Sequence, residues 1–303
     1  ACGIDLGTRT IKIYNTHGDS VTVEKNMIAI EDKKNLFAYG DSAFDMYEKA
    51  PDNIQVTYPL TSGVIADIKN MQELGLNTLR KHIKIEPEVF YYECDKAGIF
   101  VMQDMVNNGS YNFLRDTALP TVLSKKGRKK HLENKAPANK KEEFFLRHSE
   151  ETLEHLFNHP CVVYYTIFNE GWGQFKANYA YDYLKARDPS RIFDTASGWF
   201  KNPESDVESD HIYFKTPSLE ERAANSSKPL IISECGGYTL EIPKHTWSLY
   251  GKYGYGGSET IEELTNQVTS MYEKMVIPAI KHGLCGCVYT QVSDVEDEIN
   301  GFY

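Results

Sequence analysis

The sequence predicts an α/β fold: an incomplete (β/α)8 barrel of the TIM type, without its first strand and last helix, behind a smaller β-rich fragment. Three observations predict it. Two apolar runs of strand length, residues 161–168 and 229–233, lead into Asn169-Glu170-Gly171-Trp172-Gly173 and Glu234-Cys235-Gly236-Gly237. Helical pattern lies between them, the order expected of parallel βα units. Near Asp67 the text changes character: before it strand follows strand, and after it strand and helix alternate. The chain is accordingly divided at 1–68 and 69–303.

In the first part, residues 3–14 read as strand, tight turn and strand, and 21–25 continue the β alternation. A short helix is expected at 41–49. Asp52-Asn53 and Ser62-Gly63 mark turns. In the second part, strands are expected at 77–82, 99–104, 161–169, 191–195, 211–214, 230–234 and 287–291. Helices are expected near 67–74, 87–97, 141–158, 179–186 and 259–281. Leu153, Leu156 and Phe157 line one face of the third of these, and Asn158-His159-Pro160 ends it. Parallel strands present their C-terminal ends on one face, where reactive groups collect. Two glutamates at that edge are the minimum equipment for hydrolysing a glycosidic bond.

Composition bounds the rest. The chain has 303 residues, 41% hydrophobic and 25% charged, with a net charge of −10. That charge disfavours a polyanionic partner, and no nucleic acid is expected. The basic run at 125–141 lacks interleaved aromatics and reads as a solvated loop. The longest apolar stretches are strand-sized, so no membrane span is expected. The N-terminus is polar, so no secretory signal is expected. The six cysteines, at 2, 94, 161, 235, 285 and 287, mostly lie in apolar text and read as free buried thiols of a cytoplasmic protein. Cys285-Gly286-Cys287 reads as small inward residues of one strand rather than a metal site. Asp294, Glu296, Asp297 and Glu298 read as a solvated acidic loop. No metal and no cofactor are expected, and the pattern specifies no oligomeric state.

Asp5-Leu6-Gly7-Thr8-Arg9-Thr10 resembles the first phosphate loop of the actin and sugar-kinase superfamily. Three later stretches extend the likeness: Phe37-Ala38-Tyr39-Gly40-Asp41-Ser42-Ala43, Ala50-Pro51-Asp52-Asn53-Ile54, and Tyr58-Pro59-Leu60-Thr61-Ser62-Gly63-Val64-Ile65-Ala66-Asp67. In this order they resemble the start of MreB-type bacterial actins, over about residues 2–72. The resemblance implies a vestigial phosphate loop at Asp5, Gly7, Thr8 and Thr10. That family's second phosphate loop and adenosine pocket have no counterpart here, so ordered nucleotide binding is not expected.

Five later motifs occur in register with the strand pattern: Asn77-Thr78-Leu79-Arg80-Lys81-His82, Asn169-Glu170-Gly171-Trp172, Ser197-Gly198-Trp199, Ser233-Glu234-Cys235-Gly236-Gly237, and the run from Tyr289 to Glu298. Together they resemble the catalytic barrel of glycoside hydrolase family 2, the β-galactosidase, β-glucuronidase and β-mannosidase group, over about 67–303. The resemblance implies a retaining hydrolase acting on a small-molecule or oligosaccharide glycoside. Glu170 takes the position of the acid/base, which protonates the leaving oxygen and then activates water. Glu234 takes that of the nucleophile, which forms a glycosyl ester. Asn169 is implied as the partner of the sugar 2-hydroxyl, and Arg80 as the cation that orients Glu234. Tyr213 is implied beside Glu234 or the ring-oxygen region of the sugar. Trp172, Trp199 and Tyr289 offer faces for sugar C–H groups, and His82, Asp104 and His211 offer hydroxyl contacts.

The departures are also specific. The family usually carries a jelly-roll and an immunoglobulin-like domain before the barrel, and neither is expected here. The third strand ends Gln103-Asp104-Met105 where many relatives carry an acidic pair, and Cys235 stands where an aromatic is common. The two texts share a short Ala-Asp-Ile-Lys-like stretch between Ile65 and Leu74, the mark of a junction, and a chimera of two unrelated reading frames is expected. The rival expectations are a filament-forming cytoskeletal protein and a chain that binds carbohydrate without turnover.

Overall fold

The computed structural model describes residues 2–6, 10–15, 20–25, 27–32, 35–47, 49–57, 60–61, 64–65, 75–107, 136–171, 173–242, 253–295 and 297–302. The helix expected at 67–74 and the basic run up to residue 135 lie outside them. The chain forms two compact units, Ala1–Asn77 with Glu86–Ile99, and Thr78–Ile85 with Phe100–Tyr303.

The first unit is mostly antiparallel. Strands β1 (Cys2–Leu6), β2 (Thr10–Asn15) and β3 (Ser20–Lys25) form one meander. Strand β4 (Ile28–Glu31) lies between β5 (Asn35–Tyr39) and β6 (Ile54–Thr57) in a second. Helix α1 is one turn, Gly40–Phe44, shorter than the 41–49 expected. Strands β7 (Leu60–Thr61) and β8 (Val64–Ile65) pair as a minimal hairpin. Among the described residues, Met27, Ala29 and Ala43 are its small buried centre, backed by Ala38, Met46, Ile54 and Val56. Helix α2 (Glu88–Ala97) belongs to the same unit and ends on Gly98 in the left-handed conformation.

The second unit holds two parallel sheets. The first has the order β12-β11-β10-β9, with β9 at Thr78–Lys81, β10 at Phe100–Asp104, β11 at Val162–Asn169 and β12 at Ile192–Ser197. The second has the order β13-β14-β17, with β13 at Glu208–Ile212, β14 at Leu230–Gly236 and β17 at Leu284–Thr290. Strand β13 begins earlier than expected and excludes Tyr213 and Phe214. Strand β17 likewise begins three residues before the expected start. Strands β15 (Tyr238–Leu240) and β16 (Gly256–Ser258) form a small parallel pair that the pattern did not predict.

The sheets approach one another at two seams, β12 beside β13 and β17 beside β9. Among the described residues neither seam carries ladder hydrogen bonds, so the architecture is a mixed α/β unit with no closed barrel. The outer face of β14 and β17 is covered by α5 (Glu220–Asn225) and by a long helix, α6 (Ile261–Met271). A π segment, Tyr272–Val276, joins α6 to α7 (Ile277–Ile280). Leu230, Ile232, Cys235, Met271, Met275 and Leu284 share the resulting core. On the other sheet, Phe145 of α3 (Lys140–Leu156) stacks on Phe168 of β11 at 5.2 Å. Tyr181 of α4 (Ala177–Lys185) meets Phe193 of β12 edge-on. Helix α3 starts on Asn139, whose side chain accepts from the backbone of Lys141 and Glu142.

Cys94, Cys161 and Cys235 are buried thiols, as the sequence suggested. Cys285 is exposed and Cys287 half-buried, so the Cys-x-Cys pair is not an inward-facing pair. Cys285 falls next to the turn that opens β17, where the sheet's covering layer ends. Among the described residues no helix is long and apolar enough to cross a membrane.

Candidate active site

Two glutamates meet where the two sheets face each other. Glu170 follows β11 and Glu234 lies near the end of β14. One oxygen of each, together with His211 Nδ1, lies within a group whose members are all within 4.8 Å of one another. Glu170 reaches this place through a left-handed backbone conformation (φ 50°), pinned by its amide donating to the Ser197 carbonyl at 3.0 Å. A non-glycine residue held there costs about 1 kcal/mol or more, a strain that collects at functional sites.

Glu234 owes its position to irregular register. Between Asp210 and His211 the β13–β14 pairing jumps, so that His211 pairs with Glu234. The β14–β17 pairing jumps at the same place, between Ile232 and Cys235. The bulge lets Ile232 and Cys235, three residues apart, both face the core while Glu234 points to the site.

Arg80, at 3% side-chain exposure, organises the floor. Its NH1 donates to Glu234 Oε1 at 2.6 Å and to the Ser233 carbonyl at 3.1 Å. Its Nε and NH2 form a fork on Asp104, at 3.0 and 2.8 Å, and NH2 also donates to Asn169 Oδ1 at 2.8 Å. Burial opposes the guanidinium charge, but Asp104 and Glu234 outweigh it and hold Arg80 cationic above its usual range. Burial likewise opposes ionisation of Glu234. The Arg80 charge, then His211, His82 and a hydrogen bond from Tyr213, outweigh burial and hold its carboxyl below the usual value.

Tyr213 donates to Glu234 Oε2 at 2.5 Å and lies 3.1 Å from Thr290 Oγ1. Burial, followed by the Glu234 charge and this bond, pushes its phenol well up, so it remains a donor. Asn169 is buried. Its Oδ1 faces Arg80, so its Nδ2 is the atom 3.2 Å from His82 Nε2.

His211 has no side-chain exposure and touches both glutamates. Nδ1 is 2.7 Å from Glu170 Oε1 and 3.3 Å from Glu234 Oε2. On its other side Nε2 is 3.0 Å from Ser197 Oγ and 3.4 Å from Arg80 NH1. A carboxylate only accepts, so Nδ1 carries the hydrogen towards Glu170, and Nε2 takes that of Ser197. Ser197 Oγ is also 2.8 Å from Ser233 Oγ. The chain of donors then runs in one direction, from Ser233 through Ser197 and His211 to Glu170. Gly198 completes the fit: at φ 79° a Cβ there would lie 2.5 Å from His211 Cγ.

The expected residues are therefore unevenly placed. Arg80, His82, Asp104, Asn169, Glu170, His211, Tyr213 and Glu234 form one hydrogen-bonded group. Both Asp104 oxygens are engaged by Arg80, which puts the carboxylate behind the site floor rather than at a sugar hydroxyl. Tyr289 stacks on Phe302 at 4.5 Å, packs on the β14–β17 core, and fills the space that a Cβ on Gly236 would need. Its ring thus serves packing. Trp199 is partly exposed, just beyond Gly198. Trp172, Gly7 and Thr8 lie outside the described residues. Asp5 and Thr10 fall on β1 and β2 and are described by backbone alone.

Sequence reasoning missed Ser197 and Ser233 as members of the donor chain, and missed Glu298. Burial, then the charges of Glu234 and Glu170, raise the Glu298 carboxyl in spite of a bond from Asn300. Glu298 is thus half-buried and bonded to Asn300, where a solvated acidic loop was expected.

Comparison with known proteins finds likenesses to both groups that the motifs resemble. The MreB/Mbl protein family matches residues 1–90. The β-galactosidase of Priestia megaterium (strain DSM 319 / IMG 1521) is 25% identical over 200 residues, 63% of this chain and 18% of that protein. The chain thus spans about a fifth of the length of that curated relative. A β-glucuronidase from Bacteroides uniformis superposes with a TM-score of 0.51 at 13% identity, over 96% of this chain and 37% of that one. The β-D-glucuronidase of Dictyoglomus thermophilum superposes with a TM-score of 0.50 at 14% identity, over 100% of this chain and 64% of that one. At such identities the superpositions establish the fold alone. The chain is thus similar to MreB/Mbl proteins over its first 90 residues, and in fold and motifs to the β-galactosidases and β-glucuronidases of glycoside hydrolase family 2.

Proposed function

We propose that this chain carries the catalytic part of a retaining β-glycosidase, with Glu234 as nucleophile and Glu170 as acid/base. The observation that carries the reading is the approach of the two carboxyl groups to within 4.8 Å. Retaining glycosidases need their carboxyls about 5–5.5 Å apart, whereas inverting ones leave room for a water between them.

The surroundings support the roles. Arg80 and Tyr213 occupy both oxygens of Glu234 as donors and favour its anion, the form that attacks. In the first step a Glu234 oxygen bonds to the anomeric carbon, the bond to the leaving oxygen breaks, and Glu170 gives that oxygen its proton. In the second, Glu170 takes a proton from water, the water oxygen bonds to the anomeric carbon, and the Glu234 ester bond breaks. Negative charge passes from Glu234 to Glu170 and back, so the buried site keeps one net charge throughout. His211 touches both carboxyls and holds Glu170 Oε1 by its Nδ1 hydrogen, which leaves Oε2 to carry the transferred proton.

We further propose that the strands of the second unit represent a barrel without its first strand, that the division falls near residue 68, and that the first part is an actin-like fragment fused to it. The substrate class is a β-galactoside, β-glucuronide or β-mannoside. Release of chromophore from nitrophenyl β-galactoside, β-glucuronide and β-mannoside, with Glu170→Gln and Glu234→Gln as controls, tests the reading. Turnover of one substrate that both variants abolish is the expected result. Silence of the wild type towards all three, with the sugar still bound, would make the site one of carbohydrate binding only.

A further inference from the structure

Two thiols touch one residue away from Glu234. Cys235 follows Glu234 on β14, and its Sγ lies 3.3 Å from Cys287 Sγ on the neighbouring strand β17. Both thiols are free; Cys235 is fully buried and Cys287 only partly. Cys235 Sγ also lies 3.4 Å from the Val288 carbonyl oxygen. A disulfide bond is about 2.05 Å long, so the sulfurs need to approach by roughly 1 Å to join.

The backbone at this place can yield. Ile232 stands opposite Cys287 and Cys235 opposite Tyr289, so β14 advances three residues while β17 advances two. The ladder is broken at this bulge, and fewer cross-strand bonds resist a small approach than in regular sheet. The two thiols are also unequal. The hydrogen bond with Cys287, followed by burial, pushes the Cys235 thiol well up, so Cys235 keeps its hydrogen. Cys287, with part of its surface in solvent, is the sulfur that a small solute reaches.

We propose that Cys235 and Cys287 form a modification site, at which hydrogen peroxide converts the two thiols into a reversible disulfide. In the first step the Cys287 sulfur bonds to one peroxide oxygen, the O–O bond breaks, and the other oxygen leaves as water with the thiol hydrogen. In the second, the Cys235 sulfur bonds to the Cys287 sulfur, the S–O bond breaks, and the hydroxyl leaves as water with the Cys235 hydrogen. Two thiols are oxidised and one peroxide is reduced to two waters.

The link bears on Glu234. Arg80 of β9 and Tyr213 beyond β13 hold that carboxylate at 2.6 and 2.5 Å. Drawing Cys235 towards β17 shifts Glu234 against these donors, and a displacement of about 1 Å costs up to roughly 100-fold in rate. This consequence rests on the glycosidase reading; formation of the bond does not.

Peptide mapping of the full chain tests the site. The protein is treated with hydrogen peroxide, remaining thiols are blocked with iodoacetamide, and tryptic peptides are sequenced by mass spectrometry. Cys285 and Cys287 share one tryptic peptide, so Cys285→Ser is mapped beside the wild type. The expected result in both is the Cys235 peptide joined to the Cys287 peptide and released by dithiothreitol, which does not reverse methionine oxidation. Towards a nitrophenyl glycoside that the reduced protein hydrolyses, kcat/KM should fall about 10-fold or more with the link and return on reduction. Cys287→Ser should keep its activity in peroxide. No link at doses that oxidise the exposed Cys285 of the wild type, or a link formed only in urea, overturns the site. A link that leaves turnover unchanged overturns its effect on Glu234. A link in a chain that turns over no glycoside even when reduced sinks the glycosidase reading and leaves the modification site standing.

Discussion

His211 Nδ1 donates to Glu170 Oε1 at 2.7 Å, and the same atom stands 3.3 Å from Glu234. One buried imidazole therefore sets the orientation of the proposed acid against the proposed nucleophile. His211→Leu should impair substrates that need protonation of their leaving group more than those that do not. The expected loss in kcat/KM is roughly 10- to 100-fold for a methyl glycoside, and clearly less for a dinitrophenyl glycoside. Equal losses on both would indicate general damage instead.

Arg80 bridges Asp104 and Glu234 with almost no solvent contact. Arg80→Met would leave two buried carboxylates without their cation, a loss of about 3–5 kcal/mol in unfolding free energy. Arg80→Lys supplies the charge without the fork and should recover only part of it. Urea denaturation followed by circular dichroism measures both.

Tyr213→Phe retains the ring stacked on Tyr255 and removes the donor to Glu234 together with the hydroxyl's contact with Thr290. A hydrogen bond to a charged group contributes about 1.5–3 kcal/mol. The variant should therefore lose roughly 10- to 100-fold in kcat, with a melting temperature close to that of the wild type. A large fall in melting temperature with intact kcat would show the hydroxyl to be structural.

Acid stability should carry two opposed signatures. The folded value of Glu234 lies below its usual 4.5, so its contribution is present above pH 4.5 and lost as pH falls through the folded value. The gap in melting temperature between wild type and Glu234→Gln should therefore move against the wild type as the solution is acidified below 4.5. The folded value of Glu298 lies above 4.5, so its contribution is present below 4.5 and lost as pH rises through the folded value. Glu298→Gln should be flatter than the wild type over that upper range. Parallel melting curves for all three proteins from pH 3 to 7 would refute both assignments.

Gly198→Ala places a methyl group against the His211 ring in a left-handed backbone. The expected cost is about 1–3 kcal/mol. Activity should fall further than folding does, because the displaced imidazole is the one that holds Glu170. A thermal melt read beside kcat/KM separates the two effects.

Much of this site was legible because its parts sit at strand ends. Glu170 and Glu234 each close an apolar run, Arg80 stands next to the end of β9, and Asp104 ends β10. The donor chain was not legible. Ser197, His211 and Ser233 are brought together by a register jump at Asp210–His211, and nothing in an alternating pattern marks where pairing slips. The same limit hid the two-sheet division, since strand text does not say which neighbour completes a ladder. Tyr253 and Tyr255 lie on irregular backbone between short strands, where periodicity carries no information. Tyr289 illustrates the converse: an aromatic at a strand end looks the same in sequence whether it faces a sugar or, as here, Phe302.

The paired glutamates do not belong to the same sheet. Glu170 extends from the four-stranded one, with Arg80, Asp104 and Ser197, and Glu234 rises from the three-stranded one, with His211. What spans the divide are the side-chain bonds Arg80–Glu234, His211–Glu170 and Ser197–Ser233. The groups proposed to react are thus also the rivets between two plates. Under the proposed function, loosening any one rivet widens the gap that a sugar must be squeezed across, so wear on the scaffold would register first as a slower chemical step and only later as unfolding.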